Sequence, residues 1–465
     1  MRIFHHYWQV PLVVLAAAEV ALFFLAPYGA VFFQHGQLPD VLSGMRTFLL
    51  PQASLFSFVT FVTMTAMGLY NSRQRSRLVG RLARIAVGVL SGILLLAGVS
   101  IFVPSLAATS QTLVAIGLIA LAGSVLIRTL FGRVVDENVF KRKLLVYGAG
   151  KRAGSIAQLR RRSDRRRFHV IGYVEAEGDD VAIVQRETIL SDSEGLPAIC
   201  RRHQIHEIVV AMDDRRRSFP TNQLLQCRLD GVEISDLATF FERETGKVRL
   251  DVLDPSWIIF STGFRRSRFN SALERLCDIV ASFTLLIGAL PFMALTILAI
   301  KFEEGIRASI FYRQIRVGQY EKKFGVLKFR SMREGAEREG KAQWAVQNDS
   351  RVTKVGAFIR KTRIDELPQI INVFRGEMSF VGPRPERPQF VDDFNEKIPY
   401  YRERHSIKPG ITGWAQLCYP YGASDKDAAE KLQYDLYYMK NHSFIFYLAI
   451  LVQTVEVIIW GKGAR

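Results

Sequence analysis

Charged residues are nearly absent from three stretches of the first 130 positions. Trp8 to Phe33 carries Glu19 alone and Phe48 to Tyr70 carries none. None stands between Arg84 and Arg128, a run broken near Pro104 and Ser105. A bilayer core takes about 20 apolar residues per helix. The pattern predicts four transmembrane helices near residues 8–33, 48–70, 84–103 and 106–128. Uncharged runs of roughly 18 residues or more are unlike ordinary core helices. The first run is also too long for a signal-peptide core of about 7–15 residues.

The loops orient these helices. The 71–84 loop holds Arg73, Arg75, Arg77, Arg81 and Arg84, and Arg133, Lys141, Arg142 and Lys143 follow the fourth helix. The 34–47 loop has Arg46 as its only basic residue. Positive residues stay on the cytoplasmic side, which places both ends of the four-helix unit there.

From Lys141 the pattern becomes short apolar strands between polar helices. Lys143 to Tyr147, His169 to Val174 and Glu207 to Ala211 read as strands of a Rossmann-like half. The first runs into Gly148, Gly150 and Gly154, spaced GxGxxxG. Such a turn lets a phosphate approach a helix N-terminus, and it also occurs as a purely structural strand-to-helix turn. Both readings stay open. Arg160 to Arg162 and Arg165 to Arg167 read as a solvated face near anionic lipid.

A fifth apolar run, Ile279 to Ile300, is 22 residues without a charge, interrupted by Ser282 and Pro291. As a straight helix it would be about 33 Å long, enough to cross. Arg265, Arg266, Arg268 and Arg275 precede it, and Lys301, Arg307, Arg313 and Arg316 follow, so both flanks favour the cytoplasmic side. Pro291 removes a backbone donor and kinks a helix. The pattern predicts a re-entrant helix over 273–302 that enters, bends and returns. Ser443 to Trp460 reads as an interfacial helix at the C-terminus. The expected domains are 1–132, 133–262 and 263–465.

Composition sharpens this. The 465 residues carry 62 Lys+Arg against 44 Asp+Glu, a net charge of +18, and 49% are hydrophobic. That excludes a disordered chain. Four cysteines, Cys200, Cys227, Cys277 and Cys418, without a C-x-x-C pair, exclude a disulfide scaffold. A basic apolar chain suits a nucleic-acid binder or a membrane protein with a basic cytoplasmic face. The basic residues track membrane flanks, so membrane lipid is the expected partner and nucleic acid is not.

The candidate chemistry lies between 301 and 440. Asp365 and Glu366 precede apolar residues at helical spacing, Ile370, Ile371 and Phe374, up to Gly376. This predicts Asp365 at a helix N-cap, where a carboxylate is favoured with or without chemistry. An ionised Asp among Arg360, Lys361 and Arg363 can attack phosphorus, and Glu366 can hold Mg²⁺ together with substrate phosphates. Arg forks bind phosphate bidentately. Lys328, Arg330, Arg363, Arg384 and Arg313 are the candidates for a diphosphate, with lipid anchoring as the alternative. Asp349 and Asp435 read equally as metal or sugar ligands and as capping residues, and Trp414 as a base contact or a packed loop aromatic.

Residues 271–465 resemble the bacterial sugar transferases, the polyisoprenyl-phosphate hexose-1-phosphate transferases. The resemblance rests on the segment with Pro291, KFRSM at 328–332, RIDELPQ at 363–369, SFVGPRP at 379–385 and KPGITGWAQ at 408–416. Four spans and a Rossmann-like domain in front resemble the large exopolysaccharide-type members. The resemblance implies a membrane protein with a four-helix transmembrane bundle, a Rossmann-like α/β domain and an α-rich phosphoglycosyl transferase domain. It implies transfer of a hexose 1-phosphate from a UDP-sugar to undecaprenyl phosphate with release of UMP. It makes Asp365 the nucleophile and Glu366 the Mg²⁺ ligand. The partners implied are a nucleotide-sugar donor and a polyprenyl phosphate acceptor at the bacterial inner membrane, with a homodimer left open.

Two other readings are weaker. A membrane-anchored nucleotide-sugar dehydratase would need a Tyr-x-x-x-Lys pair after residue 270, and the sequence has none there. A non-catalytic scaffold of polysaccharide assembly would lack UMP release.

Overall fold

A computed structural model describes residues 2–3, 6–7, 10–35, 46–67, 69–70, 78–103, 108–134, 141–159, 168–177, 179, 183–191, 194–214, 219–253, 263–264, 267–333, 351–419, 422 and 424–460. Asp349, the arginine run 160–167 and residues 71–77 of the 71–84 loop lie outside them. The chain forms two compact units that divide at residues 252 and 253.

The first unit begins with four helices, α1 (Val10–His35), α2 (Arg46–Ala66), α3 (Leu78–Phe102) and α4 (Ser110–Val134). α1 packs on α2 and α4, and α3 closes the ring between them. Their outward faces are apolar and exposed, with Leu25, Leu94, Ile101 and Leu118 among them, the surface a lipid environment requires. Among the described residues, four helices are long and apolar enough to cross a membrane: Val13–Gln34, Arg81–Phe102, Ser110–Phe131 and Arg268–Glu304. The second expected span falls on α2, whose 21 residues carry a charge only at Arg46, with Leu49–Thr65 as its described apolar part.

Glu19 is fully buried in this bundle. Arg128 Nε donates to its Oε1 and Arg128 Nη2 to its Oε2, both at 2.7 Å, and Tyr70 Oη donates to Oε2 at 2.5 Å. Arg128 Nη1 also donates to the Leu69 carbonyl at 3.1 Å. A carboxylate in an apolar bundle is costly unless paired, and here Glu19 is paired with Arg128.

The α/β part follows. It contains β1 (Arg142–Tyr147), α5 (Lys151–Ala157), β2 (Phe168–Val174), β3 (Ile189–Leu190), α6 (Leu196–His203), β4 (Glu207–Val210), α7 (Thr221–Leu229), β5 (Glu233–Asp236) and α8 (Leu237–Thr245). The five strands are parallel in the order β3-β2-β1-β4-β5, that of a doubly wound sheet. The three strands expected from the sequence fall on β1, β2 and β4. The core between sheet and helices is built from Leu145, Val174, Leu196, Ile208 and Val210.

The second unit opens with α9 (Arg268–Glu304), one continuous helix of 37 residues, about 55 Å at 1.5 Å per residue. It runs through Pro291 without a break. Buried Glu274, Asp278 and Ser282 recur every fourth residue, and buried Met293 and Ile300 carry the same stripe onward. The other faces expose Phe283, Leu290, Phe292, Leu295 and Leu298. Then come β6 (Phe311–Val317) and β7 (Lys323–Phe329), an antiparallel hairpin, followed by α10 (Lys354–Lys361) and α11 (Gln369–Arg375). β8 (Ser379–Val381), α12 (Pro388–Lys397) and β9 (Gly410–Thr412) come next, and α13 (Trp414–Cys418), α14 (Asp425–Lys440) and α15 (Phe444–Trp460) complete the unit.

Candidate active site

Asp365 does not cap a helix. Arg363 adopts a left-handed conformation (φ 60°), and Ile364–Glu366 wind as a 3-10 turn ahead of α11. Pro368 explains the difference. It has no N–H to return an α-helical bond to residue 364, so the chain closes shorter bonds instead. Glu366 N donates to Arg363 O at 3.2 Å and Leu367 N to Ile364 O at 3.1 Å. The Asp365 side chain is thereby left clear of the backbone. It is buried, and its Oδ1 has no hydrogen-bond partner.

Cations surround the dyad. Lys328 Nζ lies 3.4 Å from Glu366 Oε1, and Arg363 Nη1 lies 3.7 Å from the same oxygen. Burial opposes ionisation of Glu366, but Lys328, Arg384 and Arg363 outweigh it and hold the carboxyl below its ordinary value. Asp365 behaves oppositely. Burial, then the neighbouring Glu366, push its carboxyl up against the pull of Lys328, Arg360 and Arg363. Burial also lowers Lys328, with Arg384 adding to it and Glu366 resisting. Two adjacent carboxyls pushed apart, within a cluster of cations, is an arrangement found where chemistry is done.

Lys328 is placed by the hairpin and by α11. It pairs with Tyr312 across β6 and β7, so it shares a face with Gln314 and Arg316. Asn372, fully buried in α11, covers the outer edge of β7. Its Oδ1 accepts from Leu327 N and its Nδ2 donates to Gly325 O, each at 2.9 Å. The helix after the dyad is thus pinned to the strand that carries Lys328.

Arg384 sits in a segment with two prolines, and its backbone is held through carbonyls. Gly410 N donates to Pro383 O at 2.9 Å, Arg404 Nη2 to Arg384 O at 3.1 Å, Arg316 Nη1 to Pro385 O at 3.2 Å and Val317 N to Glu386 O at 2.9 Å. β8 and β9 pair in parallel, Ser379 with Gly410 and Val381 with Thr412. A Cβ at Gly410 would lie 2.1 Å from Gly382 N, so the two chains approach only because both positions lack one. This explains the SFVGPRP and KPGITGW runs as two halves of one ribbon.

These elements enclose a pocket lined by Arg316, Lys328, Glu366, Gln369, Arg384 and Gln416 with Val326, Pro385, Gly410 and Ile411. The structure therefore brings together Glu366, Lys328 and Arg384, with Arg363 and Asp365 beside them. Arg330 lies two residues beyond Lys328 and its N–H extends the hairpin ladder to Ile310. Arg360, one turn before the dyad, donates from Nε to Ser331 Oγ at 2.8 Å.

Two expected residues are elsewhere. Arg313 pairs with Leu327, on the opposite face of the hairpin from Lys328, and its guanidinium lies over Gly325. Strand alternation makes Arg316, not Arg313, the arginine of this pocket. Asp435 is buried, 2.9 Å from Arg404 Nη2, away from the pocket lining. Burial pushes its carboxyl up to about 6 even with Arg404 alongside. Trp414 is buried against Tyr437 and Phe446, a packed aromatic. Arg316 enters the sequence reading only as a flanking cation, and Asn372 and Arg404 escaped it; Asn372 left a trace as the polar residue inside the apolar run 370–374.

The profile of the bacterial sugar transferase family matches residues 269–461. An uncharacterised sugar transferase of Bacillus subtilis is 37% identical over 193 residues, which cover 42% of this chain and 90% of that protein. The chain belongs to the bacterial sugar transferase family. A UDP-N-acetylgalactosamine-undecaprenyl-phosphate N-acetylgalactosaminephosphotransferase of Aeromonas hydrophila is 39% identical over 242 residues, 52% of this chain and 56% of that protein. This chain thus spans about half the length of that relative. A UDP-glucose:undecaprenyl-phosphate glucose-1-phosphate transferase of Xanthomonas campestris pv. campestris is 29% identical over 358 residues, 75% of this chain and 73% of that protein. The family match begins at α9 and contains the dyad, the hairpin and the β8–β9 ribbon.

The glycine turn of the α/β part has a different content. Gly148 (φ 120°) turns the chain where a Cβ would lie 2.7 Å from the Ala211 backbone. Ala149 N donates to Asp179 Oδ2 at 2.6 Å, Lys151 N to Asp213 Oδ2 at 2.9 Å and Arg152 N to Asp213 Oδ1 at 2.8 Å. A Cβ at Gly150 would lie 2.0 Å from Asp213 Oδ2, and one at Gly154 3.3 Å from Ile183. Carboxylates of the chain itself occupy the donors a phosphate would use.

Proposed function

We propose that the protein transfers a hexose 1-phosphate from a UDP-sugar to undecaprenyl phosphate, at the cytoplasmic face of the bacterial inner membrane, as the first step of an exopolysaccharide or related glycan. The observation that carries this is the buried Asp365 with an unpartnered Oδ1, beside Glu366 and a cluster of cations.

In the first half-reaction Asp365 attacks the β-phosphorus of the donor. A bond forms between the carboxylate oxygen and phosphorus, the bond to the bridging oxygen breaks, and UMP departs with that electron pair. In the second, a phosphate oxygen of the lipid acceptor attacks the same phosphorus. The acyl phosphate bond breaks, giving the lipid diphosphate sugar and free Asp365. Lys328, Arg384 and Arg316 receive the diphosphate charge, and Arg363 stands at the dyad's open side.

The donor set fits Mg²⁺. Glu366 supplies a hard carboxylate oxygen, held below its ordinary value by Lys328, Arg384 and Arg363, while Asp365 Oδ1 is left for attack on phosphorus. Mg²⁺ commonly takes one or two carboxylates plus substrate phosphates. When bound through Glu366 it would neutralise the donor diphosphate.

We read α9 as a re-entrant element, a continuous helix that bends at Pro291, whose missing N–H removes one backbone bond. Both of its ends engage the same unit. Asp278 Oδ1 accepts from Phe380 N at 3.1 Å and from Tyr447 Oη at 2.7 Å, and Glu303 caps α10 by accepting from Lys354 N at 2.8 Å. With basic residues on both flanks, that supports a helix whose ends share one side.

The test is UMP release from the purified protein in lipid nanodiscs, over a panel of UDP-sugars with undecaprenyl phosphate. Acceptor-dependent UMP release with one of them is expected. No release with any donor would overturn the reading.

A further inference from the structure

Arg404 is buried and touches three groups. Its Nη1 donates to Tyr401 Oη at 2.5 Å, its Nη2 donates to the Arg384 carbonyl at 3.1 Å, and the same Nη2 lies 2.9 Å from Asp435 Oδ2. Arg404 and Asp435 are both more than nine-tenths buried.

A buried ion pair is an expensive way to hold a fold together, since an apolar pair would serve as well or better. What it supplies here is direction. Arg404 has a planar fork with fixed donor angles, and one arm reaches the carbonyl of the residue whose side chain lines the pocket. Asp435 reaches the same arm from α14. The Arg384 segment holds Pro383 and Pro385 and so lacks two backbone donors with which to anchor itself.

We infer that Asp435 and Arg404 are positioning residues that set Arg384 for the donor diphosphate, acting through the Arg384 carbonyl and touching no substrate. This rests on the reading of the pocket as the donor site. It predicts a specific pattern: loss of the pair weakens donor binding only while Arg384 has its guanidinium.

The experiment is a double-mutant cycle on the full chain in nanodiscs, with Asp435→Asn, Arg384→Ala and the pair combined. Donor KM and kcat are read separately for the UDP-sugar that the wild type uses. Asp435→Asn is expected to raise donor KM about tenfold, with a smaller effect on kcat. In the Arg384→Ala background the same change is expected to leave KM within about twofold. Equal effects in both backgrounds, or an unchanged KM in the first, would overturn the inference. Should Asp435→Asn fail to fold, Tyr401→Phe, which removes one Arg404 contact, is run in the same cycle and judged by the same criterion. Wild-type UMP release is the control. Its absence defeats the donor-site reading, whereas its presence with an additive cycle defeats only the positioning role.

Discussion

Lys328 Nζ stands 3.4 Å from Glu366 Oε1, joining a β-strand to the 3-10 turn that carries the dyad. Burial drives both groups toward neutrality, yet Glu366 stays on the ionised side because Lys328 leads the cations that face it. Lys328→Met should therefore raise the Glu366 carboxyl and remove a phosphate-binding charge. We expect kcat to fall about 10²-fold. The acid limb of kcat should move to higher pH, while Lys328→Arg keeps it in place. A pH–rate series on the three proteins measures this, and an unmoved limb in Lys328→Met would show that Lys328 does not govern Glu366.

Asp365 shifts the other way, and the sign matters. Its carboxyl is raised, so the attacking carboxylate is lost on acidification at a higher pH than an ordinary aspartate of about 4. In single-turnover experiments without acceptor, the labelled phosphosugar retained on the protein should decline as pH falls through that raised value. Asp365→Asn should retain none and lose at least about 10³-fold in turnover while inserting normally. Wild-type-like turnover in that variant would assign the nucleophile elsewhere.

The sequence shows some of this site and hides the rest, for physical reasons. Asp365, Glu366, Lys328, Arg363 and Arg384 stand out because local runs of unlike residues mark them. Arg313 and Arg316 look alike in one dimension. Only the register that sets Tyr312 against Lys328 decides which of them faces the pocket. Asp435 resembled a ligand because its burial beside Arg404 depends on chain 31 positions away. The four apolar helices at the N-terminal side were legible from length and charge, while the contact of Tyr70 with Glu19 depends on a residue 51 positions away on another helix.

Asn372 offers a test of how the site is held. Asn372→Ala leaves the Leu327 amide and the Gly325 carbonyl buried on an unpartnered strand edge. Losing two such bonds should cost about 3 kcal/mol. A lower unfolding temperature and faster exchange of the Leu327 amide are expected, with kcat reduced because Lys328 is less well fixed. Unchanged exchange at Leu327 would show that the edge is secured by other contacts.

The glycine turn of the α/β part should be indifferent to nucleotides. Asp179 and Asp213 hold the Ala149, Lys151 and Arg152 amides, and two carboxylates there repel phosphate. Hydrogen exchange of residues 148–154 should be the same with and without millimolar NAD or UDP-glucose. Asp213→Ala should loosen that peptide and cost about 1 kcal/mol, as loss of a helix cap does. Protection of these amides by nucleotide in the wild type would mean that the carboxylates give way to a ligand.

Within the membrane bundle, Glu19 and Arg128 form a two-bond pair that brings α1 and α4 together, with Tyr70 closing over it. Breaking such a pair strands a buried charge, at a cost of about 3–5 kcal/mol. Arg128→Leu should accordingly destabilise the bundle in detergent more than the double change Glu19→Leu with Arg128→Leu, which removes both charges and leaves only apolar contact. The comparison separates two roles for the pair. If the double variant equals or exceeds the wild type in thermal unfolding, the pair specifies how the helices meet without adding stability. If the double variant is as weak as the single one, the pair itself stabilises the bundle. In either case Arg128→Leu alone must be less stable than the wild type, and equal stability would show that Glu19 finds another partner.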